Sequence, residues 1–174
     1  MIATVISAIL SNAFLVFFAI AACTTLVKVR RSGGARSEGN VAYVLWGELL
    51  FYCVGLGFIY AGLFHAYAGP LVAPKIGWQP SPFEYELGWL EIPLGAVACM
   101  ALWRGYEFRL AATIPFITFS LAAAAQHLQE IACCKNYAPD NAGLVLWFGD
   151  ILLPIFLLAA AAFARRPADR SLNG

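Results

Sequence analysis

The chain has 174 residues, of which 61% are hydrophobic and 12% charged, with a net charge of +1. A water-soluble domain carries roughly 25% charged residues, so this composition leaves too little polar surface for a soluble fold, and so small a net charge excludes a field that would draw nucleic acid. Lipid is the partner the composition calls for, and the length suits one membrane domain over residues 1–174.

The first apolar segment predicts a helix over about 2–29. It has no basic stretch at its start, which makes it a poor secretory signal. Ile20-Ala21-Ala22-Cys23 has only a superficial likeness to a lipoprotein cleavage box, so the expectation is that Met1 is retained. Lys28 to Asn40 is polar and rich in Gly and Arg and reads as a loop. A second helix is expected over about 41–68, and Gly69 to Pro82 as a connector that cannot be helical throughout. The third helix is expected over 83–103, followed by a tight turn, Arg104 to Arg109. The fourth covers about 110–133. Lys135 to Gly143 forms a loop in which Pro139 stops the helix and Asn141 caps the next. The fifth covers about 144–164. Each segment approaches or exceeds the roughly 20 residues that span the hydrocarbon, so the fold class is an all-α membrane bundle of about five transmembrane helices.

Basic residues set the orientation. Nine of the eleven fall at one end: Lys28, Arg30, Arg31, Arg36, Arg104, Arg109, Arg165, Arg166 and Arg170. That end is expected to be cytoplasmic, with the N-terminus outside, in the inner membrane of a bacterium. The five cysteines are Cys23, Cys53, Cys99, Cys133 and Cys134. Their odd number and lack of CxxC or zinc-type spacing argue against a disulfide scaffold. Cys133-Cys134 raises a redox reading that needs exposed sulfurs beside a quinone-sized pocket. Trp78, Trp89 and Trp147 near one interface and Trp103 near the other read as an aromatic belt.

Ionisable residues collect in the outer half. His65 lies near the outer end of the second helix. Glu84 and Glu86 open the third, and Glu91 lies two turns deeper on the face of Glu84. His127 and Glu130 share a face of the fourth, and Asp150 is two turns into the fifth. Glu91, His127 and Asp150 should sit roughly 8–12 Å in from the helix ends. Each such residue costs roughly 2.5–3.5 kcal/mol to insert into lipid, so they must face one another, water or a ligand. Carboxylate and imidazole donors on facing helices suit a transition-metal ion, with Glu91, His127, Glu130 and Asp150 as candidate ligands. They equally suit a proton or a small polar solute, with Glu84 and His65 as a second rank. The bland reading is interhelical glue. Glu48, alone toward the other end, reads as a packing or loop partner.

Three stretches together carry a resemblance: Ser81-Pro82-Phe83-Glu84-Tyr85-Glu86-Leu87-Gly88, then Asn136-Tyr137-Ala138-Pro139-Asp140-Asn141-Ala142-Gly143 after His127, then Asp150-Ile151-Leu152-Leu153-Pro154. Their order resembles a domain-of-unknown-function family of small bacterial integral membrane proteins, over Pro80 to Pro154. Asp140 stands where that family's loop carries glycine. The resemblance implies the membrane fold and no activity.

The expectation is a small membrane protein with a polar Glu/His/Asp site serving transport or membrane-embedded chemistry. The alternative is a non-catalytic accessory subunit, packed in a homo-oligomer or a larger membrane complex. Whether the chain is an enzyme stays open, since no nucleophile motif, phosphate loop or dinucleotide fingerprint is present.

Overall fold

The computed structural model describes residues 12–31 and 38–164. Five helices are long and apolar enough to cross a membrane: α1 Ala13–Arg31, α2 Asn40–Ile76, α3 Phe83–Trp103, α4 Tyr106–Cys134 and α5 Pro139–Phe163. No strand occurs among the described residues. In lipid every backbone amide must find its partner within the segment, which a helix achieves alone.

Several helix ends differ from expectation. Lys28 belongs to the last turn of α1 rather than to a loop. There a cation complements the helix dipole, and the long stem lets the ammonium reach past apolar surface. Helix α2 runs on past Ala68, where φ −134° and ψ 24° mark a kink, through Val72 and a 3₁₀ turn, Ala73–Ile76, to Gly77. Pro70 accounts for the kink, because its ring displaces the carbonyl four residues earlier. The turn expected over Arg104 to Arg109 shrinks to Arg104 and Gly105, because α4 already begins at Tyr106. Pro139 does not stop α4, which ends at Cys134 on a left-handed Lys135 (φ 56°). It opens a short turn, Pro139–Ala142, where its missing N–H costs nothing. Arg36, Arg165, Arg166, Arg170 and the start of the first predicted helix lie outside the described residues.

The closest approach is between α2 and α3. A Cβ on Gly88 would lie 2.5 Å from both the Gly62 carbonyl and the Ala66 amide, and one on Gly95 would lie 2.6 Å from the Gly55 carbonyl. Small residues at this spacing let two backbones touch, the packing that holds helices together in lipid. The core lies between this pair and the other helices, built from Trp46, Leu50, Val54, Phe58, Phe116, Leu153 and Leu157. Two stretches wind as π-helix: Leu49–Leu56 in α2 and Val145–Leu152 in α5. The first follows directly on Glu48 and the second contains Asp150, both buried carboxylates. Such wide turns recur at functional sites.

Lys28, Arg30 and Arg31 end α1 and Arg104 precedes α4, so these cations share one end of the bundle. The connections around Pro74, Pro80, Pro82 and Pro139 form the other, called here the proline-loop end.

Candidate functional site

The structure sorts the predicted polar residues into pairs rather than one cluster. His65 Nδ1 lies 2.6 Å from Glu91 Oε2, joining α2 to α3. Gly62 and Gly88 bring these helices close enough for the contact, and Glu91 is 3% exposed. Glu84 is a fastener: both its oxygens accept from the Ser81 amide at 3.2 Å. This is half of a capping box, and the carboxylate packs on Gly69, whose Cβ would sit 2.7 Å from it. Glu130 is half-buried and accepts from Asn136 at 3.4 Å.

The second pair is less complete. His127, seven residues from the end of α4, lies about 10 Å in. Its Nδ1 is 2.7 Å from Asn141 Oδ1. The Asn141 amide nitrogen in turn donates to the Asn136 carbonyl at 2.8 Å. That donation turns the amide oxygen toward the ring, so His127 Nδ1 carries a hydrogen and donates it. Asn141 is thus a buried ring-holder and not the helix cap expected from sequence.

Asn136 extends the support. It donates to the Ile76 carbonyl at 2.9 Å and accepts from the Ala138 amide at 3.1 Å. Gly77, at φ 80°, lies against it; a Cβ there would meet Asn136 Oδ1 at 2.5 Å. The two proline-loop connections are in this way welded together over the pair. Trp78, expected in an aromatic belt, stacks on His127 at 6.5 Å and 30°.

With Nδ1 committed, the other ring nitrogen faces α5. His127 Nε2 lies 3.7 Å from Asp150 Oδ2. That distance is too long for a direct hydrogen bond. Asp150 is 8% exposed, and its Oδ2 is the single buried side-chain oxygen or nitrogen without a hydrogen-bond partner among the described residues. Beside it, buried Gly149 opens on space: a Cβ there would meet nothing within 4 Å. A neutral Nε2 and an ionised Oδ2 are both acceptors, so neither can donate to the other. Among the described residues no group of three or more His, Cys, Asp and Glu side chains gathers to hold a metal ion.

A family model described as "Family of unknown function (DUF6790)" matches residues 11–170. The chain belongs to that family. No curated protein and no solved structure matches it. The matched region of this DUF6790 member includes both pairs and their supports.

At the basic end Glu48 is a packing partner as expected, but sequence reading missed the buried Arg109 beside it. Glu48, 2% exposed, takes Lys28 Nζ at 2.5 Å and the Thr24 hydroxyl at 2.8 Å. Arg109, assigned to a turn, is buried within α4. It donates to the carbonyls of Ala101 (3.0 Å), Tyr43 (2.6 Å) and Leu102 (2.9 Å) and lies 3.9 Å over the Tyr43 ring. A signal existed. Arg109, Thr113, Ser120 and His127 follow helical spacing, and all four are buried on one face of α4. Cys133 and Cys134 are exposed free thiols.

Proposed function

We propose that this multi-pass membrane protein binds a proton, or a small hydrogen-bond-donating solute, between His127 and Asp150 in the half of the bundle near the proline loops. One observation carries the reading: a buried carboxylate oxygen without a partner faces an imidazole nitrogen that its neighbours hold as an acceptor. A lipid-embedded chain keeps such a pair where it does work, since intramembrane ionisable groups are costly. The separation of His65–Glu91 from His127–Asp150 moves weight away from a metal and toward a proton or solute. Glu91, His127 and Asp150 are buried within a single chain, which favours an internal site over an accessory subunit whose acids meet a neighbour. The basic residues at the other end support placing it at the cytoplasm of a bacterial inner membrane.

The test uses the fact that the chain has two histidines. Nitrogen-15 histidine labelling of the purified protein, with His65→Gln to assign signals, reads the protonation of His127 directly. The expected result is a wild-type ring whose Nε2 shows a proton shared with the Asp150 carboxylate. In Asp150→Asn the ring stays neutral, because the amide supplies the donor. Identical His127 ring signals in both proteins would rule the shared proton out.

A further inference from the structure

The basic end holds a second site of different chemistry. Lys28, Tyr43, Val44, Glu48, Leu102, Trp103 and Arg109 line a recess of about 190 Å³ between α1, α2, the end of α3 and the start of α4. Its charges are unequal. Among the described lining residues Lys28 and Arg109 bring two positive charges and Glu48 one negative, a net +1. Each Glu48 oxygen has a partner, Lys28 or Thr24. The cations keep donors to spare. An arginine has five N–H donors, and three serve carbonyls here. Lys28 spends one bond on Glu48 and is half exposed at the mouth. The recess therefore offers fixed donors and one uncompensated positive charge to an anion.

Its position names the anion. Trp103, 73% exposed, and Lys28 in the last turn of α1 line it, and the apolar Leu26 and Val27 that precede Lys28 are 48% and 45% exposed. Basic recesses between helices at this level hold lipid head groups. We propose that the recess binds the phosphodiester of an anionic phospholipid, whose single charge matches the surplus, with its chains lying along α1.

The experiment compares the full chain in nanodiscs of phosphatidylcholine alone and with phosphatidylglycerol added, reading retained lipid by native mass spectrometry. A parallel arm titrates inorganic phosphate into lipid-free micelles. Lys28→Gln removes the charge yet keeps a donor for Glu48, and circular dichroism with a thermal melt checks its fold. The expected outcome is one phosphatidylglycerol retained in preference to phosphatidylcholine, with the preference falling about five-fold or more in folded Lys28→Gln, as one cation at a membrane surface predicts. Equal retention of both lipids, or an unchanged preference in Lys28→Gln, would overturn the proposal. Saturation by inorganic phosphate without any lipid preference would overturn the lipid as source and assign the recess to the free ion. None of these readouts involves His127 or Asp150.

Discussion

Replacing Asp150 with asparagine should make the protein more stable. In the native chain Oδ2 is buried without a partner, 3.7 Å from His127 Nε2. A buried acceptor left unmade costs about 1–3 kcal/mol, and a new neutral hydrogen bond contributes about 0.5–1.5 kcal/mol. The introduced amide would aim an N–H at a ring nitrogen that Asn141 holds as an acceptor. Closing the gap to a normal bond requires a shift of about 0.7 Å, which offsets part of the gain. The net expectation is about 1–2 kcal/mol of added stability. For a chain of this length each kcal/mol moves Tm by about 2–4 °C, so Asp150→Asn should melt about 2–8 °C higher in the same detergent. His127→Ala, which strands Asn141, should melt lower. A fall in Tm for Asp150→Asn would mean that Oδ2 is satisfied in the membrane, and the argument for a shared proton would fail. Stability gained by blunting a site is the pattern expected where function is kept at a structural cost.

Other perturbations test the frame around the pairs. Gly88→Ala puts a methyl 2.5 Å from the Gly62 carbonyl and the Ala66 amide. Overpacking of about 1–3 kcal/mol should exceed the helix-propensity gain of about 1 kcal/mol, giving a lower melting point and a weakened His65–Glu91 contact by histidine NMR. Arg109→Lys leaves one ammonium for three carbonyls and should cost about 2–4 kcal/mol in chemical denaturation. Lys135→Gly relieves a left-handed residue at the end of α4 and should raise stability by about 1 kcal/mol.

The five spans were legible because lipid imposes a crude, strong rule on length and apolarity. Their ends were not, because charged residues extend helices past the apolar runs. Lys28 reaches Glu48 from the last turn of α1, and Arg109 finds three carbonyls inside the bundle. At the site, composition pointed to His127, Asp150, His65 and Glu91, since each is costly in lipid. It did not show how they divide. Pairing depends on helix rotation: two π stretches shift the phase of α2 and α5, and apolar sequences such as Leu49–Leu56 give no periodic signal for that shift. Asn141 was read as a cap because asparagine commonly serves there. Only the tertiary contact reveals that its oxygen orients an imidazole fourteen residues away.

Were the pair to share a proton as proposed, the layer between the two polar regions would decide how it is exchanged. On the buried face of α4 the polar residues Thr113, Ser120 and His127 recur every seven residues, about 10 Å apart, too far for one to bond the next. Phe58, Phe116, Leu153 and Leu157 fill the intervals. Thr113 is already committed, accepting from Trp46 at 3.0 Å and donating to the Arg109 carbonyl at 2.7 Å. Among the described residues no hydrogen-bonded chain joins Asp150 to Glu48, so on the proposed reading His127–Asp150 would exchange its proton toward the proline-loop end, past Trp78 and the Asn136–Asn141 support. Liposomes carrying the wild type should therefore hold an imposed pH gradient as long as empty ones, read by an entrapped pH-sensitive dye. Asn141→Ala should speed hydrogen exchange at the His127 ring without opening a leak. A wild-type proton flux abolished by Asp150→Asn would instead demand a second conformation that breaches the apolar layer, and would turn the site from a one-sided binding site into a station on a path across the membrane.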